Sequence, residues 1–396
     1  MRSEGQCVGT RMGCNVLIYA DVNINLIDGS SVWLASLTEM LSLDEELNIN
    51  VLLKNPLTCD ILIYDIVERN NINFIDPWEE AEHRGDFRSV LNRRSNEYLD
   101  SVAAATLIQL LDKEHNFDKI IVRDPTTSYQ LCGEKSISEK MIIYITNPLA
   151  HKGWMGSAKL IEMHTSSYLT LCQTEMAKEV FIGLLGSSVA LEKIDILNPM
   201  IPDANFKKRI KVVNKPSIGY SGKFSPPYMI EEMFQAFKHI KEISPDSTFE
   251  IVGDKFHNKP YVEGFEERVK EGLNSTPGVI WHGGVSRSEA NELMSRVMVT
   301  SGWRDDSFDS TVEISTKVLE SAALGIPVLM RPAPVQVLVF GEELPIWVKS
   351  EEEFITSYIL LINDKKLYKE TAKKMREVVQ RYSFSETLAR LRRHFD

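Results

Sequence analysis

"STKVLESAALGIPVLM", residues 315–330, reads as a helix that stops at a glycine and restarts as a strand. Val318, Leu319, Ala322 and Ala323 supply one apolar face, and Ser315 or Thr316 is placed to cap the start. Gly325 suits the left-handed position past the end, and Pro327 bars continuation. Burial alone does not explain the two charges inside it, Lys317 and Glu320. The preceding loop, "SGWRDDSFDSTVEIS" (301–315), is small and polar, so free backbone N–H groups at the helix start make a candidate phosphate site. Glu320, about one turn in, can accept hydrogen bonds from sugar hydroxyls. Glu313 stands seven residues earlier, close to two turns away if the helix reaches back that far. Two solvated surface glutamates are the plainer alternative for the same spacing.

The same strand–helix alternation runs through the chain. "NVLIYADV" (15–22) is a buried strand, followed by the loop "NINLIDGSS" and the helix "VWLASLTEMLSL". "INVLLKN" (49–55), "KIIVRD" (119–124), "KMIIYITN" (140–147), "YLTLCQ" (168–173) and "KIDILNP" (193–199) continue the series, with a helix over 101–114. After the basic stretch "PDANFKKRIKVVNKP" (202–216) the pattern begins again. "SIGYSG", "TFEIVGD", "GVIWHGG", "VMVTSG" and "IPVLM" are strands, and a 3.6-residue apolar stripe predicts a helix over 227–243. Such spacing means βαβ units and mainly parallel sheets. The expected fold is α/β: two Rossmann-like, doubly wound domains facing a central cleft, with ligands beyond the carboxyl ends of the strands. The expected division is 1–205 and 206–381, with a final helix over 382–396 crossing back onto the first domain.

The 396 residues are 43% hydrophobic and 26% charged, ordinary for a globular chain with sizeable cores. A net charge of −11 argues against general nucleic-acid binding. Five cysteines, with no CxxC, suggest reduced thiols and no zinc site. The start, "MRSEGQCVGTRMGC", has no apolar core for export, so a cytoplasmic protein is expected.

"GYSGKF" (219–224) is a second phosphate candidate: Gly222 lets backbone approach an anion and Lys223 supplies a point charge. It lacks the Walker spacing, and a plain strand-to-helix turn is the alternative. "RDDSFD" offers Asp306 and its neighbours as a metal pair, but an acidic loop is preferred. Arg304 is the better candidate for a cleft residue.

In order and spacing, the glycine turn, the amphipathic helix, "IVGD", "VIWHGGV" and "KVLESAALGIPVLM" resemble the retaining GT-B glycosyltransferases of group 1, family four. The family's last motif reads roughly E-x7-E-A-x-A-x-G-x-P-V. The resemblance covers the second domain and extends more loosely over "DGSSVWLASLTEML" and "YLTLCQTEMAKEVF" in the first. It implies that Glu320 binds the ribose hydroxyls and that Lys223 contacts the donor diphosphate. Gly29 and Ser30 would approach that diphosphate from the other side. "WHGGV", with His282 and Gly283, would lie beside the nucleobase, and Gly222, Arg304 and Thr316 would complete the donor site. Three departures stand out. Val312 occupies the place of the family's first glutamate, leaving the sugar-contacting role to Glu313. The family's second basic residue aligns with Tyr228, so Lys317 is expected to take over that charge. The family's first-domain histidine aligns with Asn147, with His151 following in what reads as a loop.

The resemblance implies transfer of a hexosyl unit from a nucleotide diphosphate sugar to an acceptor hydroxyl with retention, in cell-surface glycan or glycoconjugate synthesis. It implies no cofactor and no metal. The acceptor, a glycan, glycolipid or small molecule, would sit on the first domain. "HRGDFRSVLNRRS" (83–95), with Arg84, Arg88, Arg93 and Arg94, could dock a phosphorylated or lipid-linked acceptor or touch the inner face of the membrane; a solvated helix is the alternative. The rivals are a nucleotide-sugar epimerase of the same fold and a non-catalytic nucleotide-sugar-binding protein.

Overall fold

A computed structural model describes residues 13–60, 62–64, 66–84, 98–207, 210 and 215–395. Arg88, Arg93 and Arg94 lie outside the described residues. Arg84 lies inside them and is paired with Glu80 and Glu114.

The described strands form two parallel sheets. The first comprises β1 (Cys14–Ala20), β2 (Leu47–Leu52), β3 (Ile72–Ile75), β4 (Lys119–Arg123), β5 (Met141–Ile145), β6 (Leu169–Cys172) and β7 (Ile194–Ile196). Their spatial order is β3-β2-β1-β4-β5-β6-β7. The second comprises β8 (Ser217–Ser221), β9 (Thr248–Val252), β10 (Val279–Trp281), β11 (Val299–Gly302) and β12 (Val328–Met330), in the order β10-β9-β8-β11-β12. Each sheet is covered on both faces, which explains the unbroken apolar runs. Leu17 and Tyr19 enter one core of the first lobe, while Val16, Ile18 and Ala20 enter the other.

Both strand orders reverse direction once: between β1 and β4 in the first sheet, and between β8 and β11 in the second. Loops leaving the carboxyl ends of neighbouring strands diverge at such a point and open a crevice. The residues leaving β1 and β4 (Asp21 onward, and Arg123) and those leaving β8 and β11 (Gly222–Lys223, and Trp303–Arg304) are therefore placed by topology alone.

The chain crosses between the lobes twice, and the crossings lie side by side. Ile201 N–H donates to Tyr382 O at 2.8 Å and Phe384 N–H donates to Ile201 O at 2.9 Å. Both Ile201 and Ser383 are fully buried there. Beyond this point helix Phe384–Leu391 packs Phe384 and Leu391 into the first-lobe core beside helix Gly29–Leu41. Arg392 then pairs with Asp44, and Arg393 and His394 with Asp195.

Some elements escape the sequence reading. The segment after β5, read as a loop, is helix Pro148–Ser166, capped by Asn147, whose Oδ1 accepts from Ala150 N–H at 3.2 Å. Asn147-Pro148 is an N-cap followed by proline at N1, a helix-start signal. Gly153 and Gly156 mask the helical pattern behind it, and Gly156 breaks the helix geometry at φ 79°. The helix expected over 227–243 starts at Ile230, because Pro226 and Pro227 form a separate 3-10 turn ahead of it.

Candidate active site

A cavity of about 560 Å³ lies between the lobes and joins the two switch points. Ile27–Ser30 and Arg123 come from the first, and Ser221–Lys223, Gly302 and Arg304 from the second. Its lining carries seven lysine or arginine side chains against three carboxylates, Asp28, Asp254 and Glu313. That local excess of positive charge contrasts with the −11 of the chain.

The turn after β8 depends on one glycine, Gly253 on the neighbouring strand end; a Cβ on Gly222 itself would meet only the Tyr220 side chain, at 3.4 Å. Gly222 N–H donates to Val252 O at 3.0 Å, bringing the end of β9 against the turn. Gly253 (φ +142°) lies so near that a Cβ there would fall 2.0 Å from Gly222 O. Gly253→Ala is therefore expected to cost about 1–3 kcal/mol and to displace the turn that presents Lys223. Denaturant unfolding and nucleotide titration read the two effects, and unchanged values in both would contradict this packing.

Lys223 is half-buried, with its Nζ 3.5 Å from His257 Nδ1 and 5.4 Å from the centre of the Tyr228 ring. Burial, with Lys223 and Lys259 nearby, holds the His257 imidazole below its ordinary pKa, leaving it neutral at pH 7. Arg304 stacks its guanidinium 3.7 Å over Tyr228. The cation stacked on Tyr228 is thus Arg304. Lys317 lines the cavity but is drawn to Glu320, 3.4 Å away.

Helix Thr316–Ala323 begins at the cavity wall. Ser315 is its N-cap in backbone geometry, yet its side chain makes no capping hydrogen bond, contrary to expectation. The first-turn N–H groups have no side-chain acceptor and face the cavity beside Ser315, Thr316 and Lys317. At the opposite wall, Gly29 and Ser30 open helix Gly29–Leu41, but here Asp28 caps, accepting from Ser30 and Ser31 N–H groups.

The glutamates differ from expectation in two ways. The helix does not reach Glu313, which sits in an extended segment pinned to the first lobe. Thr174 Oγ1 donates to Val312 O at 2.6 Å, and Ile314 N–H donates to Gln173 Oε1 at 3.1 Å. Val312 is buried in the first-lobe core, so Glu313 is the residue presented to the cavity. Glu320 is 3% exposed and does not line the main cavity; it borders a small void behind it. Arg287 Nε donates to its Oε1 at 2.9 Å. Burial raises the Glu320 pKa, but Lys317 and Arg287 together outweigh it and hold the carboxyl below its ordinary value. Arg287 Nη1 also reaches Ser36 Oγ in the first lobe at 2.8 Å, and Lys255 Nζ reaches Ile27 O at 2.6 Å.

Asn147 and His151 do not line the cavity. His151 is buried on helix Pro148–Ser166, and burial pushes its pKa down to about 4, so it is neutral. His282 holds Glu250 at 2.8 Å and Gly283 O accepts from Gly253 N–H at 2.8 Å; neither lines the cavity, whereas Gly284 and Val285 do. In the acidic loop, Asp305 accepts from Ser307 N–H at 3.1 Å and Asp309 binds Arg331 at 2.6 Å.

Sequence reasoning passed over two arginines, Arg123 and Arg287. The signal for Arg123 is a charge directly at the end of the apolar run of β4. Arg287 opens a helix of surface-like composition, and only its partner across the lobes reveals it.

Residues 202–378 match the family model described as "Glycosyl transferases group 1". No curated protein is matched by the sequence. Among solved structures, Anabaena HepE in complex with UDP and glucose superimposes with a TM-score of 0.67 at 12% identity, covering 96% of this chain and 98% of HepE. Sucrose-phosphate synthase from Thermosynechococcus elongatus gives 0.67 at 12% identity, over 96% and 98%. A TarM variant from S. aureus, in complex with fondaparinux, alpha-GlcNAc-glycerol and UDP, gives 0.69 at 9% identity, over 97% and 100%. Residues 202–378, in the second lobe, thus carry the pattern of the group 1 glycosyltransferases, and with two parallel-sheet lobes and a cation-rich cavity joining their switch points the chain has the GT-B architecture.

Proposed function

We propose that the chain transfers a hexosyl unit from a nucleoside diphosphate sugar to an acceptor hydroxyl with retention of configuration, without a bound metal. The observation that carries this reading is the meeting of the two switch points in one cavity, with Lys223, Arg304 and the uncapped start of helix Thr316–Ala323 on the second-lobe side. As the anomeric C–O bond breaks, negative charge grows on the diphosphate. Fixed cations and aligned N–H groups stabilise that charge more than they stabilise the intact donor. Retention follows if the acceptor hydroxyl attacks from the face the diphosphate leaves and gives its proton to a departing phosphate oxygen. Neither Asn147 nor His151 is then required as a base. Glu313 is the carboxylate assigned to the sugar, and Glu320, buried behind the wall, is assigned to position Arg287 and Lys317, which do line the cavity.

HepE and TarM were crystallised with UDP, which makes UDP-sugars the first donors to test. We assign synthesis of a cell-surface glycan or glycoconjugate as the setting. Among the described residues no helix is long and apolar enough to cross a membrane.

The test is incubation with labelled nucleotide sugars, with and without EDTA. Release of nucleoside diphosphate that persists in EDTA is the expected result, with the product's anomeric configuration read by proton NMR. Interconversion of the sugars would make the protein an epimerase. Saturable binding without turnover would make it a binding protein.

A further inference from the structure

Arg123 ends β4 at the switch point of the first sheet, and its side chain lines the cavity from the first lobe. Its guanidinium is clamped. Nη1 donates to Ser30 O at 3.2 Å and Nη2 to Ser30 Oγ at 3.0 Å. The plane lies 4.9 Å from the Trp33 ring centre, and Trp33 in turn stacks on Tyr144 at 4.6 Å. Two of the five N–H groups are used in this way, and among the described residues no carboxylate lies within ion-pair distance of the others.

Burial lowers the Arg123 pKa, with Tyr144, Glu313, Asp28 and Asp21 acting in the opposite direction from farther off. A guanidinium stays charged even so, and a half-buried charge without a counter-ion carries a desolvation cost. The nearby carboxylates are otherwise engaged or held back. Asp28 caps helix Gly29–Leu41, and Asp21 is paired with Lys54 at 2.6 Å. Glu313 also faces the cavity, from the segment pinned to the first lobe, but no ion pair joins it to Arg123 among the described residues.

We propose that Arg123 is the anion-binding group of the acceptor subsite, so that the acceptor carries a phosphate or carboxylate near the hydroxyl that is glycosylated. This rests on the glycosyltransferase reading. The donor diphosphate has its own partners in the second lobe: Lys223, Arg304 and the helix start. Arg123 faces them from across the cavity, where an acceptor must approach the anomeric carbon. A neutral hydroxyl would not offset the desolvated charge. A planar fork held by Ser30 and Trp33 matches a carboxylate or phosphate in bidentate fashion.

Inorganic phosphate is the probe, titrated by calorimetry into the full chain, first alone and then saturated with UDP. Wild type is expected to bind phosphate in the presence of UDP. Arg123→Gln should bind it roughly ten- to a hundredfold more weakly while its UDP affinity changes less than about twofold. Arg123→Lys, which keeps the charge but not the fork, should fall between them and guards against a misfolded variant. The ratio of UDP-glucose to UDP-glucuronate affinity should be the same in wild type and variants. Four results would overturn the proposal: phosphate excluded by UDP, UDP affinity falling about tenfold in Arg123→Gln, a changed glucuronate ratio, or phosphate affinity unchanged in Arg123→Gln. Should wild type bind no nucleoside diphosphate at all, the parent reading fails, and the phosphate titration of the chain alone still reports on Arg123.

Discussion

Lys223→Ala is expected to lower turnover of the nucleotide sugar by about 10²–10³-fold, the effect of removing one well-placed donor from a developing oxyanion. The lysine sits at the carboxyl end of β8, on a turn held by Gly222 and Gly253, and lines the cavity with no carboxylate partner among the described residues. Its charge is therefore available to the leaving diphosphate. Because the side chain is only half-buried and touches little beyond His257, unfolding free energy should move by no more than about 0.5 kcal/mol. Steady-state release of nucleoside diphosphate, set beside a denaturant titration, separates the two quantities. A drop in kcat of less than about tenfold would remove Lys223 from the transition state and leave the phosphate-turn assignment without support.

Glu320→Ala should act first on stability, at a cost of about 3–5 kcal/mol. The sequence alone suggests a binding mutant that folds normally. The structure shows a carboxylate 3% exposed, joined to Arg287 and Lys317, so its removal leaves two cations without their shared counter-ion. Replacing Arg287 by methionine in the same chain should recover much of the loss, and a double-mutant cycle measures the coupling. The pH dependence has a definite sign. The folded pKa is depressed, so the stabilisation is complete above the ordinary glutamate value and is lost as pH falls through the folded one. A Glu320→Ala protein that melts with wild type would mean that the buried pair does not form.

The parallel strands were legible because strands covered on both faces must be apolar throughout, as in "NVLIYA" and "KIIV". The end of the 316–323 helix was legible because Gly325, at φ 76°, takes a backbone conformation that favours glycine. What could not be read depends on partners far along the chain. Val312 rather than Glu313 turns inward because Thr174 and Gln173 fix that segment's register from the first lobe. Arg287 is tied both to Glu320 and, across the lobes, to Ser36, a partner more than two hundred residues away. Helix Pro148–Ser166 carried a local start signal, but two glycines hid its periodicity, and with it the placement of His151.

The paired crossings at Ile201 and Ser383 limit how the lobes can move. A single tether would let one lobe swivel freely against the other, whereas two hydrogen-bonded strands act like a door hung on two pins. Bending across the pair keeps Ile201 bonded to Tyr382 and Phe384, while torsion about the long axis pulls those bonds apart. Any opening of the cavity would also have to part Arg287 from Ser36 and Lys255 from Ile27 O, the two bonds that span the lobes at its wall.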